Sequence, residues 1–263
     1  MMNKYKYSIA NVVFSSEYKV CENNKFDKNI KCNEKIQFEM SKLESRITIH
    51  GIDKYQYNQY CKDIFTIGND VMLVSKKWDI AYILYPFKNK ENALTLLLQM
   101  FYTHAVQRRM IQLHSSLISH QNHGIMFLGP SGIGKTTQAE LWQKYRSSLI
   151  INGDIVFVQE TDSGFLGWGT PWHGSSPYCE NTSVPLKAMV VLKQSDQNSI
   201  RELTGFEKVT EVSNSVFYPQ WLENGMELCL ETLDHLLISI PVYELRCRPD
   251  EDAVRLTEQT IFS

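Results

Sequence analysis

Eight residues near the middle of the chain, Gly129-Pro-Ser-Gly-Ile-Gly-Lys135-Thr136, fit the pattern G-x-x-x-x-G-K-[ST], with an apolar run before them and a helical pattern after them. Glycines at these spacings let successive backbone N–H groups turn inward on phosphate oxygens, and the N-terminus of the following helix adds positive potential. In such a loop the lysine, here Lys135, pairs with the β- and γ-phosphates of a nucleotide, and the neighbouring hydroxyl, here Thr136, binds Mg²⁺. The residues expected around phosphate are Gly129, Pro130, Ser131, Gly132, Ile133, Gly134, Lys135, Thr136 and Thr137. A bare glycine turn from strand to helix is the alternative, and the position between a β-run and a helix start speaks against it.

Mg²⁺ held by a hydroxyl and phosphates also calls for a carboxylate at the end of a neighbouring apolar strand. Asp154, after "SLIING", stands there. The other reading of Asp154 is a turn aspartate in "NGD", a common hairpin signal. The spacing after the loop's helix suits a second strand of the same sheet and favours the metal role. There is no L-S-G-G-Q transporter signature, and the chain is short for most translocating motors. Phosphoryl transfer to a bound acceptor is the leading class.

The elements that must hold these residues follow from hydrophobic patterning. "LHSSLIS" and "GIMFLG" read as strands joined by the turn-prone "HQNHG", a hairpin that delivers the chain to the glycine loop. A helix is predicted within "GKTTQAELWQKY", then a strand "SLIINGDIVFVQE", a Gly-, Trp- and Pro-rich loop "GFLGWGTPWHGSSPYCENTSVP", a strand "LKAMVVLKQ", and helical stretches ending in "RCRPDEDAVRLTEQT". Earlier, "YSIANVVF", "IQFEM", "SRITIHGI", "DVMLVSKK" and "DIAYILYPF" read as short strands between Asn, Lys, Asp and Gly clusters. From Glu91, residues Leu94, Leu97, Leu98, Phe101 and Ala105 keep helical spacing. The chain is thus expected to divide into a β-rich lobe at 1–88 and a catalytic core at 89–263.

Composition fits an ordinary folded, soluble body: 43% of the 263 residues are hydrophobic and 21% charged. The net charge of −2 is uneven, since residues 1–90 hold 15 Lys and Arg against 10 Asp and Glu, and the remainder 12 against 19. The lysine- and tyrosine-rich "NKYKYS" and "DKYQYNQYCK" are read as a solvated face rather than a nucleic-acid or acidic-peptide site. The N-terminus lacks a secretory signal, and "ALTLLLQMFYTHAV" is too short for the ~20 residues a spanning helix needs. No membrane or nucleic-acid partner and a cytoplasmic location are expected. The six cysteines show no C-x-x-C pair or metal-ligand spacing and are read as structural thiols.

In order, "LHSSLIS", "FLGPSGIGKTT", "LIINGD" and "GTPWHGSS" resemble the core of HPr kinase/phosphorylase and its relatives, closest to the lasso-peptide-type kinases of peptide-modification clusters. The likeness is specific over 113–174 and vaguer at "YSIANVVFSSEYKV" and "YELRCRPDEDAV". It implies an α/β phosphoenolpyruvate carboxykinase-like P-loop core with a mixed sheet, preceded by the small β-rich lobe, and transfer of the ATP γ-phosphoryl group to a side-chain hydroxyl. It also implies that His114 lies beside the transferring phosphate and that Asp154 is the metal ligand. Where the family has Asp-Asp, this chain has Gly153-Asp154, so the aspartate that would take the acceptor's proton is missing. His114, which can accept a proton as a neutral imidazole, is the first substitute, and His173 in "TPWHG" the second. Arg201, Arg246 and Arg248 are read as surface salt-bridge partners.

The sequence therefore points to an ATP- and Mg²⁺-dependent kinase acting on a Ser or Thr hydroxyl of a small protein or ribosomally made peptide. The rival readings are a weakly catalytic nucleotide-binding scaffold and a small-molecule kinase. Restoring the aspartate at Gly153 is expected to raise activity, and assembly into homo-oligomers is left open.

Overall fold

The structure is a computed structural model that describes residues 5–17, 19–20, 24–26, 36–44, 61–68, 70–85 and 89–263. Its contacts divide the chain into two units, Met1–His104 and Ala105–Ser263.

The first unit carries a six-stranded mixed sheet in the order β1-β2-β3-β6-β5-β4. The strands are β1 (Tyr5–Ile9), β2 (Val12–Ser16), β3 (Phe38–Glu44), β4 (Cys61–Ile67), β5 (Asp70–Ser75) and β6 (Ile80–Tyr85). The run "YSIANVVF" is not one strand but a hairpin, because Ala10 and Asn11 both take left-handed φ values, 45° and 60°, and reverse the chain. β4 was not anticipated; Lys62 and Asp63 interrupt its apolar pattern, and pairing with β5 supplies what the pattern lacks. "SRITIHGI" and most of "DKYQYNQYCK" lie outside the described residues.

Helix α1 (Lys90–Val106) begins where the Asn89 side chain accepts the Glu91 N–H at 2.9 Å. The contact division falls near the end of α1, whereas the expected boundary follows residue 88. The reason is packing. Leu96, Leu97, Met100 and Phe101 are buried, Phe101 meets Phe14 edge-on at 6.2 Å, and Phe14 stacks on Phe38 at 4.7 Å.

The second unit is built on a nine-stranded mixed sheet whose main path is β11-β10-β7-β8-β12-β15-β13. These strands are β7 (Met110–His120), β8 (His123–Leu128), β9 (Leu149–Asn152), β10 (Ile155–Thr161), β11 (Gly164–Trp168), β12 (Ser183–Gln194), β13 (Ser199–Glu202), β14 (Val216–Phe217) and β15 (Val242–Cys247). Helices α2 (Lys135–Arg146), α3 (Gly205–Ser213), α4 (Gly225–Ser239) and α5 (Glu251–Phe262) complete it. β8, β12 and β15 run parallel, and β7 pairs antiparallel with β8. Ile118, Phe127, Trp142, Val190 and Leu245 form part of its core.

"SLIINGDIVFVQE" is two strands, β9 and β10, broken at Gly153-Asp154, and the loop expected from Gly164 starts as β11. β15 lies in a stretch read as helical; "VYELRC" alternates too little to announce a strand, and its place beside β12 makes it one. The whole is α/β with two mixed sheets and five α-helices among the described residues. None of those helices is long and apolar enough to cross a membrane.

Candidate active site

The β7–β8 hairpin turns at Gln121 and Asn122, both at left-handed φ, and β8 then ends at Leu128, one residue before the glycine loop. Gly129, Gly132 and Gly134 take φ values of 135°, 78° and 114°, which side chains disfavour. A Cβ on Gly132 or Gly134 would meet nothing within 4 Å, so these glycines serve backbone direction and leave the loop's hollow open. α2 starts directly from Gly134 with no side-chain cap, so its first N–H groups lack a side-chain acceptor. Ser116 Oγ donates to the Lys135 carbonyl at 2.9 Å and ties the start of α2 to β7.

Lys135 is 6% exposed, and its Nζ donates to the carbonyls of Gly129 and Pro130 at 2.9 and 3.1 Å. Burial pulls its pKa below the ordinary value, and the Asp154 carboxylate opposes that shift. The ammonium is thus held inside the loop on weak acceptors that phosphate oxygens can replace.

Asp154 reaches the same place through Asn152, a fully buried residue that sequence reasoning did not single out. Asn152 Oδ1 accepts the N–H groups of Asp154 and Ile155 at 2.8 and 3.0 Å, and its Nδ2 donates to the Thr170 carbonyl at 2.9 Å. The "NGD" turn signal was legible; it shapes the bend that presents Asp154, so turn and metal readings do not compete. Thr136 Oγ1 donates to the Gly153 carbonyl at 3.4 Å.

β7 pairs with β10 so that His114 lies opposite Ile155, which brings His114 Nε2 to 3.0 Å from Asp154 Oδ1. His173 Nδ1 donates to the Ser176 carbonyl. A hydrogen bond with the Cys179 side chain, with smaller help from Ser176 and Asp154, raises the His173 pKa despite the opposing effect of burial. His114, Ser131, Lys135, Thr136, Asp154 and His173 line one cleft of about 250 Å³. Gly132, Gly134 and Thr137 line it too, and they also border a second cleft of about 560 Å³. Ile133 faces only that second cleft, and Gly129 and Pro130 border neither, acting through their carbonyls on Lys135. Arg201 and Arg246 are engaged with Glu244, and Arg248 with Asp250.

An aspartate at Gly153, expected to raise activity, meets a steric obstacle. A Cβ there would lie 2.0 Å from Ser176 Oγ and 2.6 Å from Ser176 Cβ, so Ser176 fills the room a side chain would need. Gly153→Asp is therefore expected to destabilise the fold by roughly 1–3 kcal/mol, as overpacking does. Thermal melting checks it, with Gly153→Asp/Ser176→Gly expected to recover most of the loss.

Among known proteins, the family model described as SynChlorMet cassette protein ScmC matches residues 84–248. A solved structure, the Hpr(Ser) kinase/phosphatase from Coxiella burnetii, aligns at 11% identity with a TM-score of 0.33, over 57% of this chain and 92% of that one, too slight a likeness to bear on activity. No curated protein matches the chain.

Proposed function

The chain belongs to the SynChlorMet cassette protein ScmC family, whose matching region holds the whole glycine loop together with His114, Asp154 and His173, and from this we propose that it is an ATP- and Mg²⁺-dependent kinase. Its acceptor is a Ser or Thr hydroxyl of a small protein or ribosomally made peptide, sought first among products of the same cassette, and it works in the cytoplasm. The observation that carries the reading is the convergence of Lys135, Thr136, Asp154 and His114 on one cleft at the mouth of a phosphate-type loop. On the same motifs we read the second unit as a phosphoenolpyruvate carboxykinase-like core.

The donor set suits Mg²⁺: the Thr136 hydroxyl and the Asp154 carboxylate are hard oxygen ligands, and His114 Nε2 lies on only one of the two carboxylate oxygens, Oδ1. When bound, the ion neutralises charge on the β- and γ-phosphate oxygens. The chain's own groups do the rest. The loop N–H groups and Lys135 Nζ exchange their present surroundings for phosphate oxygens, which orients the γ-phosphorus for in-line attack. With His114 Nε2–H donated to Asp154, the Nδ1 lone pair is free to take the proton from the acceptor hydroxyl. The hydroxyl oxygen then bonds to phosphorus as the bond to the bridging oxygen breaks, and ADP leaves with that electron pair. His173, biased toward its protonated form, is the poorer base and suits the charge that develops.

A second reading, a nucleotide-binding scaffold with weak catalysis, draws support from Ser176 standing where a second carboxylate would. Calorimetric ATP binding run beside a transfer assay separates the two, since a scaffold binds ATP and yields no phosphorylated acceptor; a product on small alcohols but not peptides gives a small-molecule kinase. Asp154→Asn is expected to raise the Mg²⁺ concentration needed for half-maximal rate by roughly tenfold or more, because a charged oxygen ligand is lost. An unchanged Mg²⁺ titration leaves Asp154 with the turn alone.

A further inference from the structure

β14 is only two residues long, yet it lies against the strand that carries the proposed base. It runs antiparallel to β7, with Val216 opposite Leu113 and Phe217 opposite Gln112. The same two β7 residues pair with Val156 and Phe157 of β10, so β10 and β14 hold opposite edges of β7 there. The His114 N–H donates to the Ser215 carbonyl at 2.8 Å and extends the β14 contact by one step. Side chains two apart on a strand share a face, so Gln112 and His114 point to the same side of the sheet, and Phe217, across from Gln112, joins them. Phe217 is thus the diagonal neighbour of His114, with ring centroids 6.5 Å apart.

The two flanks of His114 differ in chemistry. Toward β10 stands the Asp154 carboxylate, its Oδ1 at 3.0 Å from His114 Nε2, and with it the polar phosphate cleft. Toward β14 stands an aromatic ring that is 45% exposed and lies outside the lining of that cleft. An acceptor hydroxyl must come within about 2.6–3.2 Å of the base. In a peptide the next Cα follows ~3.8 Å further along the chain, so the side chain beside the reacting Ser or Thr comes within reach of a ring 6.5 Å from the imidazole. A small alcohol has no such neighbour to place there.

We propose that Phe217 is the platform for the acceptor: it packs against a large apolar side chain next to the Ser or Thr that receives the phosphoryl group. The inference rests on the kinase reading above and adds the class of acceptor to it, a peptide with an apolar flank. Aromatic residues suit this task, since they bring a large, stiff contact area to an interface. Small changes of fit in an apolar contact are worth roughly 10–200-fold in selectivity, and a half-open ring belongs at the lower end of that range.

The test uses the full chain and serine peptides that are identical except at the residues flanking the serine, which are leucine, phenylalanine or glycine. Binding is read by fluorescence anisotropy of labelled peptides with Mg²⁺ and a non-hydrolysable ATP analogue, and transfer by mass spectrometry with γ-¹⁸O-labelled ATP. The leucine and phenylalanine peptides are expected to bind about tenfold more tightly than the glycine peptide. Phe217→Ser should level the three, and Phe217→Tyr, which keeps the ring, should keep the preference. Equal binding of the three peptides by the wild-type chain, or binding of none, overturns the assignment even if a variant does not fold. So does a preference that survives in Phe217→Ser. Label transferred to all three alike removes the platform and leaves the kinase standing, whereas the expected preference in binding with no label on any peptide upholds the platform and removes the kinase reading.

Discussion

Lys135→Ala is expected to lower phosphoryl transfer by roughly 10²–10³-fold, the usual effect of removing one preorganised donor to a charged transition state, and to weaken ATP binding. The fold should be little affected. Lys135 is buried and burial pulls its pKa down, so the charged ammonium is an electrostatic cost rather than a source of stability. Its hydrogen bonds to Gly129 and Pro130 go to loop carbonyls beside an open cleft, where water can replace the lost donor. Melting temperature and transfer rate measured on the same preparation check both halves. Near-normal turnover in the variant removes the kinase reading.

The second large effect is expected at His114. His114→Ala should reduce the transfer rate by roughly 10²–10⁴-fold, the usual worth of general acid–base catalysis, with ATP affinity nearly unchanged. Binding and chemistry separate because the side-chain contact His114 makes is with the Asp154 carboxylate. His173→Ala is the control. The hydrogen bond with Cys179 raises the His173 pKa, so His173 is still protonated in part of the range where an ordinary imidazole has already lost its proton, and it should contribute less as a base. If His114→Ala keeps full rate and His173→Ala loses it, the roles are reversed.

The parts of this site that the sequence announces are those fixed by local chemistry. The glycine loop is legible because its backbone angles require glycine at set spacings, and the hairpin before it because Gln121 and Asn122 accept left-handed φ. Asp154 is legible as the polar residue closing an apolar strand. His114 needs the resemblance as well, since a lone histidine on a strand is more often packed than catalytic. The rest is decided by residues distant in sequence. Ser176 bars a side chain at Gly153, which no reading of the "NGD" turn foretells, because the two meet only when the loop after β11 folds back on the bend. Asn152 is visible as a turn residue, but its hold on Thr170 depends on that same fold-back. β15 itself has too weak an alternation to be recognised. The domain boundary shifts for a related reason: α1 has the periodicity of a core helix, and only the Phe14–Phe38–Phe101 cluster decides which unit it joins.

On the proposed reading, a γ-phosphoryl group leaves ATP for a side-chain hydroxyl at this cleft. Its most direct test is mass spectrometry of the full chain incubated with γ-¹⁸O-labelled ATP, Mg²⁺ and Ser- and Thr-containing peptides, including those encoded beside it. Labelled phosphate is expected on one hydroxyl of a peptide, absent with Lys135→Ala and strongly reduced with His114→Ala. Tight ATP binding with no labelled peptide, whatever acceptor is offered, contradicts it and leaves a protein that holds a nucleotide without transferring its phosphate.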